Sequence, residues 1–183
     1  VFSGCADIES IDLNQVAYID KSSFTSCTSL KELYIPDSVT CIDVCAFEGC
    51  TSLRSVTMPE NIGQVACDAF CYTPWLEENG DDFFIAGKGL LIKYKGKAGN
   101  VVIPDNVTAI CDSAFSGCES IRSVVIPEGV RVIGNQAFWG CVNLQCVIIP
   151  DGVIKIGSCA FCRCHNLKFA RLPDSVTGIG RYA

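Results

Sequence analysis

Residues 137–157 read AFWGCVNLQCVIIPDGVIKIG, and residues 114–134 read AFSGCESIRSVVIPEGVRVIG. The two stretches start 23 residues apart and share Ala-Phe, Gly-Cys, an aliphatic residue, Ile-Pro, an acid and Ile-Gly at matched positions. A sustained period of about 20–45 residues is the signature of a repeat architecture, in which each unit is one turn. The same position recurs along the chain at Phe2, Phe24, Phe47, Phe70, Phe115, Phe138 and Phe161.

Each unit contains a short alternating segment that ends at a proline. In one unit Val147 and Ile149 alternate with outward-facing residues, and Pro150 follows. Alternation with a period of two predicts a strand with one face inward, and proline ends it because it has no donor for a further ladder bond. A second inward pair, Val153 and Ile156, predicts a second short strand.

One such unit cannot bury its own apolar face, so neighbouring units must stack with their strands about 4.8 Å apart. The sequence therefore predicts a mostly β solenoid of short parallel strands, stacked in about eight rungs of 22–23 residues.

One unit, spanning about residues 72–100, departs from the pattern. The segment 73–80 (TPWLEENG) interrupts the strand, and residues 82–94 predict a hairpin around a glycine turn. The repeat returns at Val101, so we expect this degenerate rung to belong to the stack and residues 1–183 to form a single solenoid. Because Val1 enters in mid-repeat and Ala183 stops where the next phenylalanine would fall, we expect a fragment without either cap.

The pattern Ala-Phe-x-Gly-Cys-x-x-Leu-x-x-Val-x-Ile-Pro-[Asp/Glu]-x-Val-x-x-Ile-Gly resembles the BspA-like leucine-rich repeat family. Members of that family are commonly bacterial surface or secreted proteins, are also found in some protists, and are linked to adhesion and to binding of host or extracellular-matrix proteins. The resemblance implies a leucine-rich-repeat solenoid that acts as a non-enzymatic protein-binding or adhesion module of a cell-surface or secreted protein. A structural spacer or stalk that presents another domain is the alternative.

Composition and charge exclude several classes of function. A net charge of −6 argues against a general nucleic-acid binder, which needs a basic surface. The single histidine, His165, argues against most histidine-based hydrolase and metal chemistry. No acid–base pair, phosphate loop or nucleophile constellation is evident, so we expect no catalytic residues and no cofactor. No apolar run approaches the roughly 18 residues of a membrane helix, so we expect no membrane insertion of this segment.

The chain contains 14 cysteines, which invites a disulfide interpretation. Side chains stacked at one repeat position run parallel, which leaves their Cβ atoms too far apart for comfortable disulfide closure. We therefore expect buried free thiols at that position. For the other cysteines, the alternative of one or two disulfides between adjacent rungs is left open. The recurring position, three residues after the phenylalanine, holds Cys5, Cys27, Cys50, Cys118, Cys141 and Cys164.

Two groups of residues could bind metal ions. Cys159, Cys162, Cys164 and His165 provide soft ligands for zinc, but Cys164 already belongs to the core position, which favours core thiols beside a surface histidine. Stacked acids after each proline could bind calcium, but turn chemistry accounts for acids there. We expect no metal site at either group. The acids are Asp37, Glu60, Asp105, Glu128, Asp151 and Asp174.

The outward residues of the first strand are the candidate partner-binding face. A basic stripe beside an apolar one suits recognition of an acidic or sulfated partner, although outward strand positions favour β-branched and aromatic residues in any case. The opposite side carries Thr40, Gln64, Arg131 and Lys155. The candidate face consists of Lys31, Arg54, Arg122 and Lys168, seven residues after the phenylalanine, and Tyr34, Thr57, Val125 and Ile148, ten residues after it.

Overall fold

The computed structural model describes residues 2–66, 68–78 and 81–183, and these form two compact units. The first unit contains the described residues up to 78 together with 86–88, and the second contains 81–85 and 89–183. Both are stacks of parallel strands wound as a solenoid, with about seven turns in the two units together. This confirms the predicted fold class, whereas a single solenoid over residues 1–183 stays a prediction.

The first unit has two small parallel sheets, because each turn contributes one strand to each of them. Strands β1, β3 and β5 form a three-stranded sheet, and β2 and β4 form a two-stranded sheet. Leu33 pairs with Val56, and Ile19 pairs with Ile42, so equivalent inward residues are neighbours. The elements are β1 (Tyr18–Ile19), β2 (Glu32–Tyr34), β3 (Cys41–Ile42), β4 (Ser55–Thr57), β5 (Gln64–Val65) and α1 (Pro74–Glu77).

The second unit repeats this arrangement at greater length. Its elements are β6 (Phe83–Ala86), of which all but the last residue belong to this unit, β7 (Leu90–Tyr94), β8 (Asn100–Val102), β9 (Ala109–Ile110), β10 (Ser123–Val125), β11 (Val132–Ile133), β12 (Cys146–Ile148), β13 (Lys155–Ile156), β14 (Phe169–Arg171) and β15 (Gly178–Ile179). A four-stranded sheet has the order β14-β12-β10-β8, and a six-stranded sheet has the order β15-β13-β11-β9-β7-β6.

The predicted alternation of inward and outward residues holds in these strands. Val124 and Val147 are buried, whereas Val125 and Ile148, one residue further on, are exposed. The chain then turns at each proline: the Val153 N–H donates to the Pro150 carbonyl at 3.1 Å, and Val130 does the same to Pro127. The acids that follow the prolines lie in these turns and are largely exposed, as turn residues are.

The phenylalanines form stacked ladders in the interior. In the first unit, Phe47 lies 5.3 Å from Phe24 and 5.2 Å from Phe70, measured between ring centroids. In the second unit, Phe138 lies 4.7 Å from Phe115 and 5.1 Å from Phe161. Offset stacking of this kind adds to the burial of apolar area.

Tyr94 takes the place of phenylalanine in the degenerate rung, which the sequence pattern did not predict. Its ring stacks on Phe115 at 5.1 Å, and its backbone N–H donates to the Ala114 carbonyl. The Phe47 N–H donates to the Ala69 carbonyl in the same way. The available signal was an aromatic residue close to one period before Phe115.

The hairpin predicted over residues 82–94 is confirmed. Strands β6 and β7 are neighbours in the six-stranded sheet and are joined by three residues. Gly89 at the turn has φ +95°, a conformation that favours glycine because it has no Cβ. The Lys95 N–H donates to the Asp82 carbonyl at 2.7 Å and closes the hairpin beyond the strands.

The segment that was predicted only to interrupt the strand begins with the short helix α1. Thr73 is its N-cap, since its hydroxyl accepts a hydrogen bond from the Leu76 N–H, and Pro74 follows at the start of the helix. Leu76 is buried, and the Trp75 ring packs edge-on against Phe70 at 4.7 Å. Residues 79 and 80, at the end of the segment, lie outside the described residues.

At the core position, Cys27, Cys50 and Cys141 are buried thiols, and Cys118 and Cys164 are partly buried. Every described cysteine is a free thiol, and Cys67 lies outside the described residues. Cys141 donates its S–H to the Phe115 carbonyl at 3.2 Å, and Cys50 does the same to Phe24. Each of these hydrogen bonds satisfies a backbone carbonyl of the preceding turn, and the cysteine side chain also fills space in the core.

The expectation that the whole cysteine column is buried was wrong for Cys5, which is exposed, and holds only in part for Cys118 and Cys164, which are partly buried. The thiols of Cys27, Cys50, Cys141 and Cys164 donate to the phenylalanine carbonyl of the turn before them. Cys5 belongs to the first turn that the structure describes, in which Phe2 is also 53% exposed.

Alkylation should distinguish the buried thiols from the exposed one. Burial raises the pKa of the Cys50 thiol to about 11 and that of Cys141 to about 12. At pH 8.5 we expect iodoacetamide to modify Cys5 while Cys50 and Cys141 stay unmodified, and all three to react once the chain is denatured without reductant. Peptide mass spectrometry measures this directly.

The same shifts make stability depend on alkaline pH. Burial raises the pKa of these thiols above the ordinary value of 9.0, so their contribution to the free energy of unfolding is full below pH 9. This contribution falls as the pH rises toward 11–12, where the folded protein must hold buried thiolates.

Rapid labelling of Cys141 in the folded protein at pH 8.5 would contradict the burial of this column.

Candidate functional site

The structure brings the predicted face residues together as two groups, one on each unit. In the first unit Tyr34 faces Thr57 on adjacent strands, and the Arg54 N–H donates to the Lys31 carbonyl at 3.0 Å. All four side chains are exposed, and Lys31 and Arg54 immediately precede strands β2 and β4. Their role as a partner-binding face stays a prediction.

In the second unit the same two positions form adjacent lines along the four-stranded sheet. Val125 pairs with Ile148 across β10 and β12. Arg122 and Lys168 lie just before β10 and β14, with Gln145 between them. The Gln145 N–H donates to the Arg122 carbonyl at 2.9 Å, and the Lys168 N–H donates to the Gln145 carbonyl at 3.0 Å. A face that joins all eight predicted residues across the two units stays a prediction.

Val102 extends this surface and was not among the predicted residues. It pairs with Val125 in β8 and is 66% exposed, while Val125 and Ile148 are 56% and 57% exposed. We call Val102, Val125 and Ile148 the apolar row. The signal in the sequence was the return of the repeat at Val101, which places Val102 at the outward position. These three exposed aliphatic side chains form a continuous line across adjacent strands.

Arg171 ends the same line of positions. It pairs with Ile148 across β12 and β14 and is exposed. Two polar residues lie between the apolar row and the basic side chains, and they hydrogen-bond to each other: the Ser123 hydroxyl donates to Asn100 Oδ1 at 2.8 Å.

The two units differ in the state of their basic residues. Arg54 forms an ion pair with Glu78, the residue that follows α1, and both side chains are more than half exposed. Among the residues that the structure describes, Arg122 and Lys168 are in no ion pair. We call these two the basic column. An exposed ion pair contributes little to stability, but it occupies a guanidinium that a partner would otherwise bind.

Acidic side chains lie on the other side of the apolar row. A shallow surface pocket is lined by Arg171 together with Asp151 and Asp174, and in the first unit an equivalent pocket is lined by Tyr34 and Thr57 with Asp37 and Glu60. We call the exposed residues Asp105, Glu128 and Asp151 the acidic column.

The zinc-like cluster is divided between the core and the surface. Cys164 donates its S–H to the Phe138 carbonyl at 3.2 Å, whereas His165 is exposed. Within residues 2–66, 68–78 and 81–183, no three histidine, cysteine or acidic side chains meet in a metal-binding arrangement. The absence of a metal site stays a prediction.

The residues predicted to lie on the opposite side belong to the other set of sheets. Gln64 lies in β5 and Lys155 in β13, while Thr40 and Arg131 immediately precede β3 and β11. Arg131 donates to the Glu128 carbonyl at 3.0 Å. No helix formed by the described residues is long and apolar enough to cross a membrane.

Comparison with solved structures finds bacterial leucine-rich repeat proteins. A leucine-rich repeat protein of T. pallidum is 34% identical with a TM-score of 0.51, over 54% of this chain and 50% of that one. A leucine-rich repeat protein from Bacteroides ovatus is 28% identical with a TM-score of 0.47, over 99% and 42%. The pneumococcal vaccine antigen PcpA is 21% identical with a TM-score of 0.54, over 83% and 47%.

The chain thus spans half or less of the length of these three proteins. No protein of curated function matches the chain. The sequence profile described as the BspA type Leucine rich repeat region matches six copies, over residues 1–77 and 93–183. The profile match covers the repeats on both sides of the degenerate rung. The chain therefore belongs to the BspA-type leucine-rich repeat family.

Proposed function

We propose that the chain is a non-enzymatic protein-binding and adhesion module of a cell-surface or secreted protein. The observation that carries the proposal is the second unit's exposed apolar row beside its basic column, which is in no ion pair with any described residue. These side chains contribute little to the core, because the inward residues of the same strands fill it. An exposed line of aliphatic groups next to cations supplies both desolvated area and charge for a partner.

The partner is a protein, and host or extracellular-matrix proteins are the class to test first. Membership of the BspA-type family supports this choice, since leucine-rich repeats are protein-interaction modules. The net charge of −6 disfavours nucleic acid, because binding to phosphates needs a basic surface. The surface location is supported by the family resemblance.

Binding to a panel of immobilised matrix proteins, measured by biolayer interferometry, tests the proposal. For a partner found in this way, we expect Arg122→Glu to slow association and weaken its salt dependence, because charges at an interface mainly steer encounter. Ile148→Asp should speed dissociation about tenfold or more, since it places a charge in the desolvated centre. Arg54→Glu should have a smaller effect than Arg122→Glu, because Arg54 is already paired with Glu78.

Arg131→Glu and Lys155→Glu are the matched controls, since they make the same charge change on the other sheet. A partner whose affinity is unchanged by the face variants, yet lost in the controls or in Thr40 and Gln64 variants, would reject this face. A spacer would tolerate all of these substitutions and bind nothing on the panel.

A further inference from the structure

We propose that the second unit binds an amphipathic helix of its partner, laid along the apolar row, with acidic side chains on one edge of the helix and basic side chains on the other. This inference rests on the proposed function and specifies the partner's chemistry. Its three elements are the spacing of the apolar row, the basic column on one side and the acidic column on the other.

The spacing of the apolar row fits a helix. Val102, Val125 and Ile148 lie on successive parallel strands, so they are about 4.8 Å apart along the stack. A helix rises about 5.4 Å per turn, so the side chains of one helical ridge would drift from the row by only about 1 Å over its three residues. Same-face residues of an extended strand are about 6.6–6.8 Å apart, and they would drift by about 4 Å over the same length.

The lateral spacing also fits. Arg122 lies three residues before Val125, which is at most about 10 Å along the chain. A helix with its side chains is about 10–12 Å across, so its edge lies about 5–6 Å to the side of the ridge that contacts the apolar row, and the long side chains of the basic column and of the helix edge span the remaining distance. Lys168 continues the column two turns further along the stack.

The charges on the two sides of the row are opposite. Arg122 and Lys168 are exposed and in no ion pair among the described residues, so they are available to carboxylates on one edge of the helix. The exposed acidic column of Asp105, Glu128 and Asp151 lies past the prolines on the other side, where the Arg131 guanidinium donates to the Glu128 carbonyl and leaves the three carboxylates to face basic side chains on the other edge. The surface is therefore complementary to a helix with two unlike edges.

This arrangement favours a protein helix over a sulfated polysaccharide. A polyanion would meet repulsion from the acidic column and would leave the apolar row exposed to water. Exposed aliphatic side chains are covered favourably only by apolar groups, which a helix ridge of leucines supplies.

The probe is a designed 18-residue alanine-based helical peptide. It carries leucine at i, i+4, i+7 and i+11, glutamate along one edge and lysine along the other. The first control peptide has the same composition, with glutamate and lysine intermixed on both edges, because simple exchange of the edges could be compensated by reversing the helix. The second control replaces the leucines with glutamine, and heparin is the third probe.

We expect the two-edged peptide to bind the intact chain, and the intermixed and glutamine peptides to bind at least tenfold more weakly, by fluorescence anisotropy. Arg122→Glu with Lys168→Glu should weaken binding of the two-edged peptide about tenfold, and Ile148→Asp should do the same. Lys155→Glu, which makes the same charge change on the other sheet as Lys168→Glu alone, should leave its affinity unchanged. Circular dichroism of each variant identifies any that has lost its fold, and Val125→Gln then replaces it.

Equal affinity for the two-edged and intermixed peptides, absence of binding at millimolar peptide, or tighter binding of heparin that depends on Arg122 and Lys168 would each overturn the inference. The matrix-protein panel is measured in parallel with the same variants. If a panel protein binds through Ile148 while the peptides fail, the inference alone is wrong. If the peptide binds as expected while no panel protein binds, the proposed class of partner is wrong and the helix site stands.

Discussion

Phe138→Ala should lower the free energy of unfolding by about 3–5 kcal/mol, the usual cost of removing a large aromatic side chain from a core. Phe138 is fully buried, and its ring lies between those of Phe115 and Phe161, at 4.7 and 5.1 Å. The rings on either side are held by their own turns, so the space left by the substitution cannot close completely. Urea denaturation followed by circular dichroism measures the loss.

Phe169→Ala is the matched control for Phe138→Ala. Phe169 is the same residue type in the same unit, but it is 57% exposed on strand β14. We expect its substitution to change the free energy of unfolding by less than about 1 kcal/mol, as surface substitutions usually do. Equal losses for the two variants would show that the aromatic ladder does not carry the packing of this unit.

Gly157→Ala should cost about 1–3 kcal/mol, because an added methyl group has no room. A Cβ atom at Gly157 would lie 2.4 Å from the Asn135 nitrogen and 2.5 Å from the Gly134 carbonyl carbon. Both are backbone atoms of the preceding turn, which cannot move aside as a flexible side chain can. The thermal midpoint of unfolding, measured by circular dichroism, should fall by several degrees.

Gly178→Ala provides the comparison for Gly157→Ala. A Cβ atom there would lie 3.8 Å from Lys155 Cγ, which is an ordinary contact. We expect this variant to be as stable as the parent chain or slightly more stable, because alanine restricts the unfolded chain more than glycine does. A Gly157→Ala variant that unfolds at the same temperature as Gly178→Ala would show that the turns do not pack backbone against backbone.

The candidate surface could be predicted in outline because its positions are local. Alternation within a strand fixes which side chains point outward, and parallel stacking without a change of register places equivalent side chains on neighbouring strands. The repeat spacing therefore predicts Val125 and Ile148 as neighbours. Val102 was missed because it follows the degenerate rung, where the offset from a phenylalanine cannot be counted.

The charge state of the surface could not be predicted in this way. Arg54 and Glu78 are separated by 24 residues, and Glu78 lies beyond a short helix that has no counterpart in the other turns. Their pairing depends on how this exceptional segment folds back on the preceding turn, where the Trp75 N–H donates to the Leu53 carbonyl at 2.8 Å. Only the structure therefore separates Arg54, which is paired with Glu78, from Arg122, which is in no ion pair within the part of the chain that the structure describes.

The amino-acid sequence by itself determined the repeat, the strand positions, the proline turns and the direction of most side chains, because each follows from spacing within one 23-residue unit. The tertiary structure alone decided that Tyr94 continues the aromatic ladder, that buried thiols donate to the phenylalanine carbonyls of the preceding turn, and which basic side chains are in ion pairs. These features arise between turns, where the partners are set by the packing of one unit on the next. The repeat pattern is the same in every regular turn, so it does not show where an irregular segment changes the contacts between neighbouring turns.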